Sequence, residues 1–479
     1  MRRYIAIGAL ASVVALFDMC AVNPVTGKKQ LVLMSEAQEI QMGKDADPSI
    51  IQEYGLYENK ELQDFINQKG KAMGAVSHRP NLEYNFRIVD SDILNAFAIP
   101  GGYVYFTRGI MAHFNNEAQF AGVLGHEIGH VTARHSVIQQ RNATLGQVGL
   151  IAGMIVAPQL GDFAQTASQG LGLLFLKFGR DDERQSDDLG VEYSSKIGYD
   201  AEQMASFFTT LERSTALQGG SSLPAFMSTH PNPADRNVTV AQRAKEWKSK
   251  LALNNALVNR NVYLKKLEGL VYGADPRQGF IENNVFYHPQ LKFQFGIPAE
   301  WATQNSPSKF QMASKDGKAM MILSMAQGKT LQEASVAMLK QYNLTVVESK
   351  EITVNSLPAL SIVADQKQEQ TSLRTLSYLV QYEGNIYHLI GVSASTDFDS
   401  NVNQFTTVMQ SFKKLTDAAK LNKKPERIRI KTLTQTISLE QAFKNYNMPA
   451  KRYEELAILN GMYLKDNVEK GTMIKVVGE

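Results

Sequence analysis

The sequence predicts an α+β multidomain chain: a mainly helical first domain with a small sheet, an α+β second domain, and a short strand–helix–helix–strand unit at the end. Three observations carry that expectation. The chain has 479 residues, more than one hydrophobic core accommodates. Apolar residues spaced by three to four over positions 116–140 give way to alternation from Leu291 onward. Two segments of turn chemistry separate the regions: 268–284, containing Gly273-Ala274-Asp275-Pro276-Arg277-Gln278-Gly279, and 417–425, containing Lys423-Lys424-Pro425. The expected divisions are 1–19, 20–267, a linker at 268–284, 285–416, a linker at 417–425, and 426–479.

Composition is that of a soluble globular protein, with 44% hydrophobic and 20% charged residues. A formal net charge of +3 gives no support for a nucleic-acid partner. The chain opens on a targeting segment: Met1-Arg2-Arg3-Tyr4 is basic, and Ile5 to Phe17 is an apolar run of signal-peptide length, too short to span a bilayer comfortably. Cys20 follows directly. It is the only cysteine, so no intrachain disulfide is possible. Its position suits the lipid acceptor of an exported lipoprotein; a secretory signal followed by an incidental thiol is the alternative.

Asn95-Ala96-Phe97-Ala98-Ile99-Pro100-Gly101-Gly102-Tyr103-Val104-Tyr105-Phe106 reads as strand, Gly-Gly turn, strand. From Asn116 to Gln140 the spacing of Phe120, Val123, Leu124, Ile128 and Val131 predicts a helix, with Asn116 as its N-cap and Glu117 favoured in its first turn. Gly122, Gly125 and Gly129 each cost about 1 kcal/mol relative to Ala inside a helix. Three of them point to close approach by another segment. On the same helix stands His126-Glu127-Ile128-Gly129-His130. Two histidines four residues apart share a face and can reach one metal ion, while Glu127 lies about 100° round the helix, beside the metal without being forced to ligate it. This is the H-E-x-x-H pattern of zinc hydrolases. His135, five residues beyond His130 and about 140° away on a continuous helix, reads as structural.

The stretch Gly146 to Ala157 is apolar, ends at Pro158 and is too short to cross a bilayer as a helix. It is read as a buried core segment, or as a mobile piece over a cleft. Catalytic zinc needs a third protein ligand, and the next helix, opening Arg180-Asp181-Asp182-Glu183-Arg184-Gln185-Ser186-Asp187, supplies acidic candidates.

H-E-x-x-H followed by Glu183-Arg184-Gln185-Ser186-Asp187 resembles the HtpX/BepA-like gluzincin peptidases, metallopeptidase family 48, whose second motif is E-x-x-A-D; Ser186 stands here in place of Ala. The resemblance implies a zincin-type catalytic domain holding one Zn2+ per chain through His126, His130 and Glu183. It makes Glu127 the general base acting on a zinc-bound water. Asp187 would orient one ligand histidine. The strand Asn95, Ala96, Phe97 and Ala98 would pair with an extended substrate. His230-Pro231 with Arg236 resembles the family's H-P…R element, so that His230 and Arg236 stabilise an oxyanion, or His230 gates the metal. Ala21-Val22-Asn23-Pro24-Val25-Thr26-Gly27 resembles the mature start of lipoprotein members, which implies lipidation at Cys20.

Beyond the first linker, Leu291-Lys292-Phe293-Gln294-Phe295-Gly296-Ile297-Pro298 with Trp301 opens an α+β unit. Strands are expected at 320–324, 359–364, 377–382 and 386–392, and helices at 331–342 and 399–412. This unit resembles the PsbP/Mog-like domains, and His288 and His388 read as structural. In the last segment, strands at 427–433 and 473–477 flank helices at 439–446 and 450–459, with Ser438 and Gln441 as a capping box. Leu456-Ala457-Ile458-Leu459-Asn460-Gly461 and Lys470-Gly471-Thr472-Met473-Ile474-Lys475-Val476 resemble a βααβ LysM module, which implies peptidoglycan as a partner. Thr434-Gln435-Thr436 departs from the usual Gly-Asp-Thr where glycan contacts would lie.

Together the resemblances imply a zinc endopeptidase of the bacterial cell envelope. It would be lipid-anchored to the outer membrane facing the periplasm, and would act on unfolded or misassembled envelope proteins. The competing expectation is a zinc-containing chaperone or assembly factor with self-inhibited or absent proteolysis, possibly held on peptidoglycan.

Overall fold

A computed structural model of the chain describes residues 20–31, 34–142, 150–151, 154–155, 157, 160–161, 163, 178–217, 225–230, 235–367 and 372–479. The expected targeting segment 1–19, most of the apolar stretch 146–157, and Pro231 lie outside them. Among the described residues no helix is long and apolar enough to cross a membrane.

The first region begins with paired strands β1 (Cys20–Val22) and β2 (Lys29–Leu31), then helices α1 (Glu36–Tyr54) and α2 (Lys60–Ala75). Ser35 and Gln38 close a capping box on α1, and Asn59 caps α2 through the Leu62 amide. A three-stranded sheet follows in the order β3 (Asn85–Val89), β5 (Tyr103–Thr107), β4 (Ala96–Ile99), with β3 parallel and β4 antiparallel to β5. Gly101 and Gly102 take φ of +82° and +90° in the turn between β4 and β5, a backbone that side chains other than Gly disfavour. The expected hairpin is therefore present, and β4 forms one edge of the sheet.

Helices α3 (Arg108–His113), α4 (Glu117–Thr132) and α5 (His135–Asn142) come next, then the paired strands β6 (Leu150–Ile151) and β7 (Met154–Ile155). Helices α6 (Arg180–Lys196), α7 (Glu202–Leu217), α8 (Ala225–Thr229), α9 (Arg236–Lys250) and α10 (Arg260–Lys266) complete the region. Asn116 caps α4 by accepting from the Gln119 amide, as expected. The helix does not run on to Gln140. It stops at Thr132 because Arg134 adopts φ +60°, and α5 restarts at His135 in a new direction.

Every residue of α4 is buried. Its glycines are where other helices cross it. A Cβ on Gly125 would lie 2.9 Å from the Gly190 carbonyl oxygen of α6, one on Gly129 would lie 3.2 Å from Ser186 Cα, and one on Gly122 would lie 2.6 Å from Met204 Cβ of α7. The close approach inferred from three helix glycines is the α4–α6 crossing, and it places the second motif over the first.

The second region holds a four-stranded sheet in the order β18 (Lys413–Lys414), β10 (Phe293–Gly296), β9 (Val285–His288), β8 (Phe280–Glu282). Beside it is a seven-stranded antiparallel sheet built from β11 (Ala302–Asn305), β12 (Lys309–Ala313), β13 (Ala319–Met325), β14 (Thr345–Val354), β15 (Leu357–Gln366), β16 (Leu373–Tyr382) and β17 (Asn385–Ala394). Its order is β11-β12-β13-β17-β16-β15-β14. Helix α11 (Leu331–Gln341) packs on one face with Met320, Ile322, Leu360 and Ile390, and α12 (Phe398–Gln410) on the other with Met321, Leu376 and Val380. His288 accepts from the Leu291 amide and His388 meets Ser377, and among the described residues neither belongs to a group that could hold a metal ion.

The third region has the expected strand–helix–helix–strand order: β19 (Arg427–Thr432), α14 (Leu439–Asn445), α15 (Tyr453–Leu459) and β22 (Met473–Gly478), with β19 antiparallel to β22. Short strands β20 (Ile437–Ser438) and β21 (Asn467–Val468) pair beside them, and the four-residue α13 (Ala418–Leu421) lies in the expected second linker. Ser438 caps α14 through the Gln441 amide, but the Gln441 side chain donates to Asn445 Oδ1 at 2.8 Å, so only half of the expected capping box is recorded. The stretch 268–284 is not a free linker: Leu270 and Val271 are buried, and backbone bonds join Gly269 to Ile428 and Ile428 to Leu270. Its glycines and proline mark turns, while the apolar residues between them have a core to enter. The third region also shares that core with the first. The Lys475 ammonium is fully buried and donates to the Ala112 and Phe114 carbonyls at 2.8 and 3.1 Å, and burial drives its pKa well below the usual lysine value.

Gly125→Val forces two methyl groups against the α6 backbone and should cost about 1–3 kcal/mol of stability. Urea denaturation measures it; an unchanged midpoint would contradict the crossing.

Candidate metal centre

The crossing of α4 and α6, closed by the residue after α8, assembles four donors. His126 and His130 Nε2 atoms are 3.0 Å apart. Glu183 Oε1 is 3.4 Å from His130 Nε2, and Glu183 Oε2 is 3.6 Å from His126 Nε2. His230 Nδ1 is 2.9 Å from Glu183 Oε1 and 3.2 Å from His126 Nε2. One donor atom from each of His126, His130, Glu183 and His230 lies within 4.8 Å of every other. Donors on a tetrahedral zinc with bonds of ~2.0–2.1 Å sit roughly 3.3 Å from each other. The cluster has that scale.

Hydrogen bonding of the far ring atoms fits a cation as well. His126 Nδ1 is 2.8 Å from Asp187 Oδ1, so it donates to the carboxylate and leaves Nε2 with a bare lone pair. His130 Nδ1 is 3.0 Å from His135 Nδ1, which keeps its Nε2 facing the cluster. Burial holds both His126 and His130 well below the ordinary histidine pKa, favouring the neutral, ligating form. Burial alone would raise the Glu183 carboxyl, but the facing His230, His130 and His126 hold it well below the usual range. Bare nitrogens and an ionised carboxylate turned on one point in a dry interior repel unless a cation compensates them. Among the described residues Glu183 Oε2, His230 Nε2 and both Glu127 oxygens are buried without hydrogen-bond partners. The residues fit a zinc ion.

Glu127 is fully buried beside this cluster, its Oε1 3.7 Å from His230 Nε2. Burial pushes its carboxyl up to about 7, against the pull of His230. Burial likewise raises Asp187 to about 6, although Arg236 opposes it. Arg236 lies behind Asp187: its Nε and Nη2 donate to the two carboxylate oxygens at 2.8 and 2.7 Å, and its guanidinium sits 3.9 Å over the Phe208 ring. From there it acts on His126 through Asp187, and its Nη2 also lies 3.4 Å from both His126 Nδ1 and Glu183 Oε2.

A strand, β4, covers Ala96–Ile99 of the segment read as substrate-pairing. Asn95 and β4 lie beside α4, and two carbonyls of this strand region are engaged. The Phe226 amide donates to the Leu94 carbonyl at 3.0 Å, and Ser136 Oγ donates to Ala98 O at 3.4 Å. Of Cys20, the structure records backbone pairing with Leu31.

Two residues of this site escape the sequence reading. A continuous helix would put His135 about 140° from His130, yet the break at Arg134 turns it back onto His130, Gln185 and Ser186. A 3.6-residue period cannot be extrapolated across a residue with positive φ. Phe178, whose ring centroid lies 4.0 Å from that of His130, carries no motif at all.

Comparison with known proteins agrees with this geometry. Residues 58–244 match the model of the family described as Peptidase family M48. The beta-barrel assembly-enhancing protease of Escherichia coli (strain K12) is 30% identical over 244 residues, 49% of this chain and 49% of that protein. The mitochondrial metalloendopeptidase OMA1 of Arabidopsis thaliana is 29% identical over 213 residues, 43% of this chain and 42% of that protein. The chain spans about half the length of these curated relatives. These matches support an M48-type metallopeptidase region. The solution structure of cyanobacterial PsbP from Synechocystis sp. PCC 6803 covers 27% of this chain and 91% of its own, with 12% identity and a TM-score of 0.23. That likeness is too slight to carry an argument about the second region.

Asp187→Ala should weaken zinc affinity by about 10–100-fold, since it frees the His126 ring and leaves Arg236 buried without its partner. Competition with a chromogenic chelator measures the loss; wild-type affinity in the variant would remove Asp187 from the site.

Proposed function

We propose that the chain is a zinc-dependent endopeptidase of gluzincin type, acting in the bacterial cell envelope. The observation that carries this reading is the convergence of His126, His130 and Glu183 donors beside the buried, unbonded carboxylate of Glu127. Zinc held by those three residues would supply Lewis acidity that acidifies a water and polarises a peptide carbonyl. Glu127, buried beside these donors with neither carboxylate oxygen hydrogen-bonded among the described residues, is placed to take a proton from water and to pass it to the leaving amine. Asp187 and His135 hold the His126 and His130 rings from behind. Asn95, Ala96, Phe97 and Ala98 offer backbone to an extended substrate once Phe226 and Ser136 give up their bonds to this strand region.

The M48 match and relatives named as proteases support this reading, and the relative named for β-barrel assembly supports unfolded or misassembled envelope proteins as substrates. The targeting pattern in the sequence supports lipid attachment at Cys20, and the resemblance of Ala21–Gly27 to lipoprotein members of the family supports an outer-membrane location facing the periplasm. The resemblance of Leu456–Gly461 and Lys470–Val476 to a LysM module supports a role for residues 426–479 on peptidoglycan.

One observation favours a second reading. His230 stands among the donors, 2.9 Å from Glu183, where a fourth protein ligand would close the site. The chain would then serve as an assembly factor or chaperone with self-inhibited proteolysis.

Zinc analysis beside casein proteolysis tests the first reading. Glu127→Gln should keep one zinc per chain and lose cleavage by about 10²-fold or more; full turnover in the zinc-loaded variant would overturn it. His230→Ala separates the two readings. Cleavage that rises above wild type supports self-inhibition, whereas cleavage that falls places His230 among the residues assisting the reaction.

A further inference from the structure

The metal centre depends on a bend that the backbone by itself disfavours. Arg134 stands between α4 and α5: its amide donates to the Val131 carbonyl at 3.2 Å, closing one helix, and its carbonyl accepts from the Ile138 amide, opening the next. Its φ of +60° is a conformation that residues with a Cβ keep only where the surroundings impose it. The bend serves the next residue. His135 Nδ1 comes to 3.0 Å from His130 Nδ1, and His135 Nε2 to 2.9 Å from Gln185 Oε1. A carbonyl oxygen only accepts, so His135 carries its proton on Nε2 and presents a bare Nδ1, which Ser186 Oγ also approaches at 3.3 Å, to the Nδ1–H of His130. This chain of donations fixes the tautomer in which His130 turns a lone pair towards the other donors.

The surroundings that impose the bend belong to α1. Glu39 is buried one turn into that helix, and an arginine occupies each of its carboxylate oxygens. Oε2 accepts from Arg134 Nε at 2.8 Å, and Oε1 from Arg79 Nη1 at 2.7 Å. Each guanidinium then reaches a backbone carbonyl. Arg134 Nη2 donates to Met34 O at 3.0 Å, just ahead of α1, and Arg79 Nη1 donates to Val131 O at 3.1 Å, in the last turn of α4. Arg79 Nη2 also holds Glu36, at 2.7 Å, and Asn23 Nδ2 donates to Ala133 O at 3.2 Å. The two arginine side chains are only 6% and 8% exposed, and guanidiniums so far from water need a buried anion between them. Glu39 is that anion. It ties the end of α4, the bend and the start of α1 together.

We infer that Glu39 is a positioning residue for the metal centre. Its carboxylate fixes Arg134 in the bend, the bend delivers His135 to His130, and His135 sets the His130 ring for zinc. The inference rests on the zinc-site reading of His126, His130 and Glu183, and on the peptidase reading only where cleavage is the readout.

The test uses the full chain as wild type, Glu39→Gln, His135→Ala and the double variant. Zinc affinity is measured by competition with a chromogenic chelator, the visible spectrum is recorded with Co2+ in place of zinc, and the urea midpoint reports stability. His135→Ala should lower zinc affinity by about 10–100-fold. Glu39→Gln should lower it several-fold and shift the Co2+ bands in the same direction as His135→Ala. In the His135→Ala background Glu39→Gln should add no further loss of affinity, because it acts through that ring. The urea midpoint should fall with Glu39→Gln in either background, since two buried guanidiniums lose their anion. Wild-type affinity and Co2+ spectrum in Glu39→Gln, beside a lowered midpoint, would reduce Glu39 to a structural ion pair and overturn the inference. An additive loss of affinity in the double variant would overturn it too. Should Glu39→Gln not fold, Arg134→Lys keeps the charge without the two-point hold on Glu39 and Met34, and decides the matter by the same readouts. If the affinities follow this pattern while even wild type leaves casein intact, the positioning role stands and the peptidase reading falls. If wild type cleaves casein and Glu39→Gln binds zinc like wild type, the positioning role falls alone.

Discussion

The crossing of α4 and α6 is the contact on which the rest of the molecule depends. Two helices normally pack with axes 8–10 Å apart, set by the side chains between them. Here Gly125 and Gly129 face Gly190, Ser186 and Leu189, so backbone meets backbone or a small residue. That closeness lets Glu183, near the start of α6, reach into the space between His126 and His130. It also sets Asp187 one turn further on, behind His126. Bulkier residues at the crossing would move the carboxylates away from the imidazoles together, because they ride on one rigid helix.

Bringing those groups together in a dry interior carries an electrostatic cost, and the surrounding residues offset it in pairs. Arg236 neutralises Asp187 through a bidentate contact, Asp187 orients His126, and His230 faces both Glu183 and Glu127. What stays uncompensated by protein lies at the point where the donors converge. Buried charge arranged this way is poor for stability and useful for function.

The two later regions are built into the first and do not hang from it. Lys475 threads the third region onto the segment that leads into α4, and Arg213 lies over Tyr463 while donating to the Met462 carbonyl. The second region takes Leu160 and Phe163 into its own core. The edge strand β14 of the large sheet is by contrast almost wholly exposed along ten residues, guarded by Glu348, Lys350, Glu351 and a bulge at Val347.

Much of this was legible in the chain because it is local. The Asn116 cap, the shared face of His126 and His130, the hairpin turn at Gly101-Gly102 and the strand–helix–helix–strand order of residues 426–479 each follow from a repeat or a turn within one element. Even the α4 glycines announced a close neighbour, since only packing offsets their cost inside a helix. What tertiary structure decided lies between elements. His135 comes to His130 because a single positive φ at Arg134 redirects the chain. Phe178 and Phe163 pack on rings distant in sequence, and the stretch at 268–284 is ordered by a strand that follows it by some 150 residues. Periodicity states which side of an element is apolar; which partner covers that side is fixed only when the whole chain has packed.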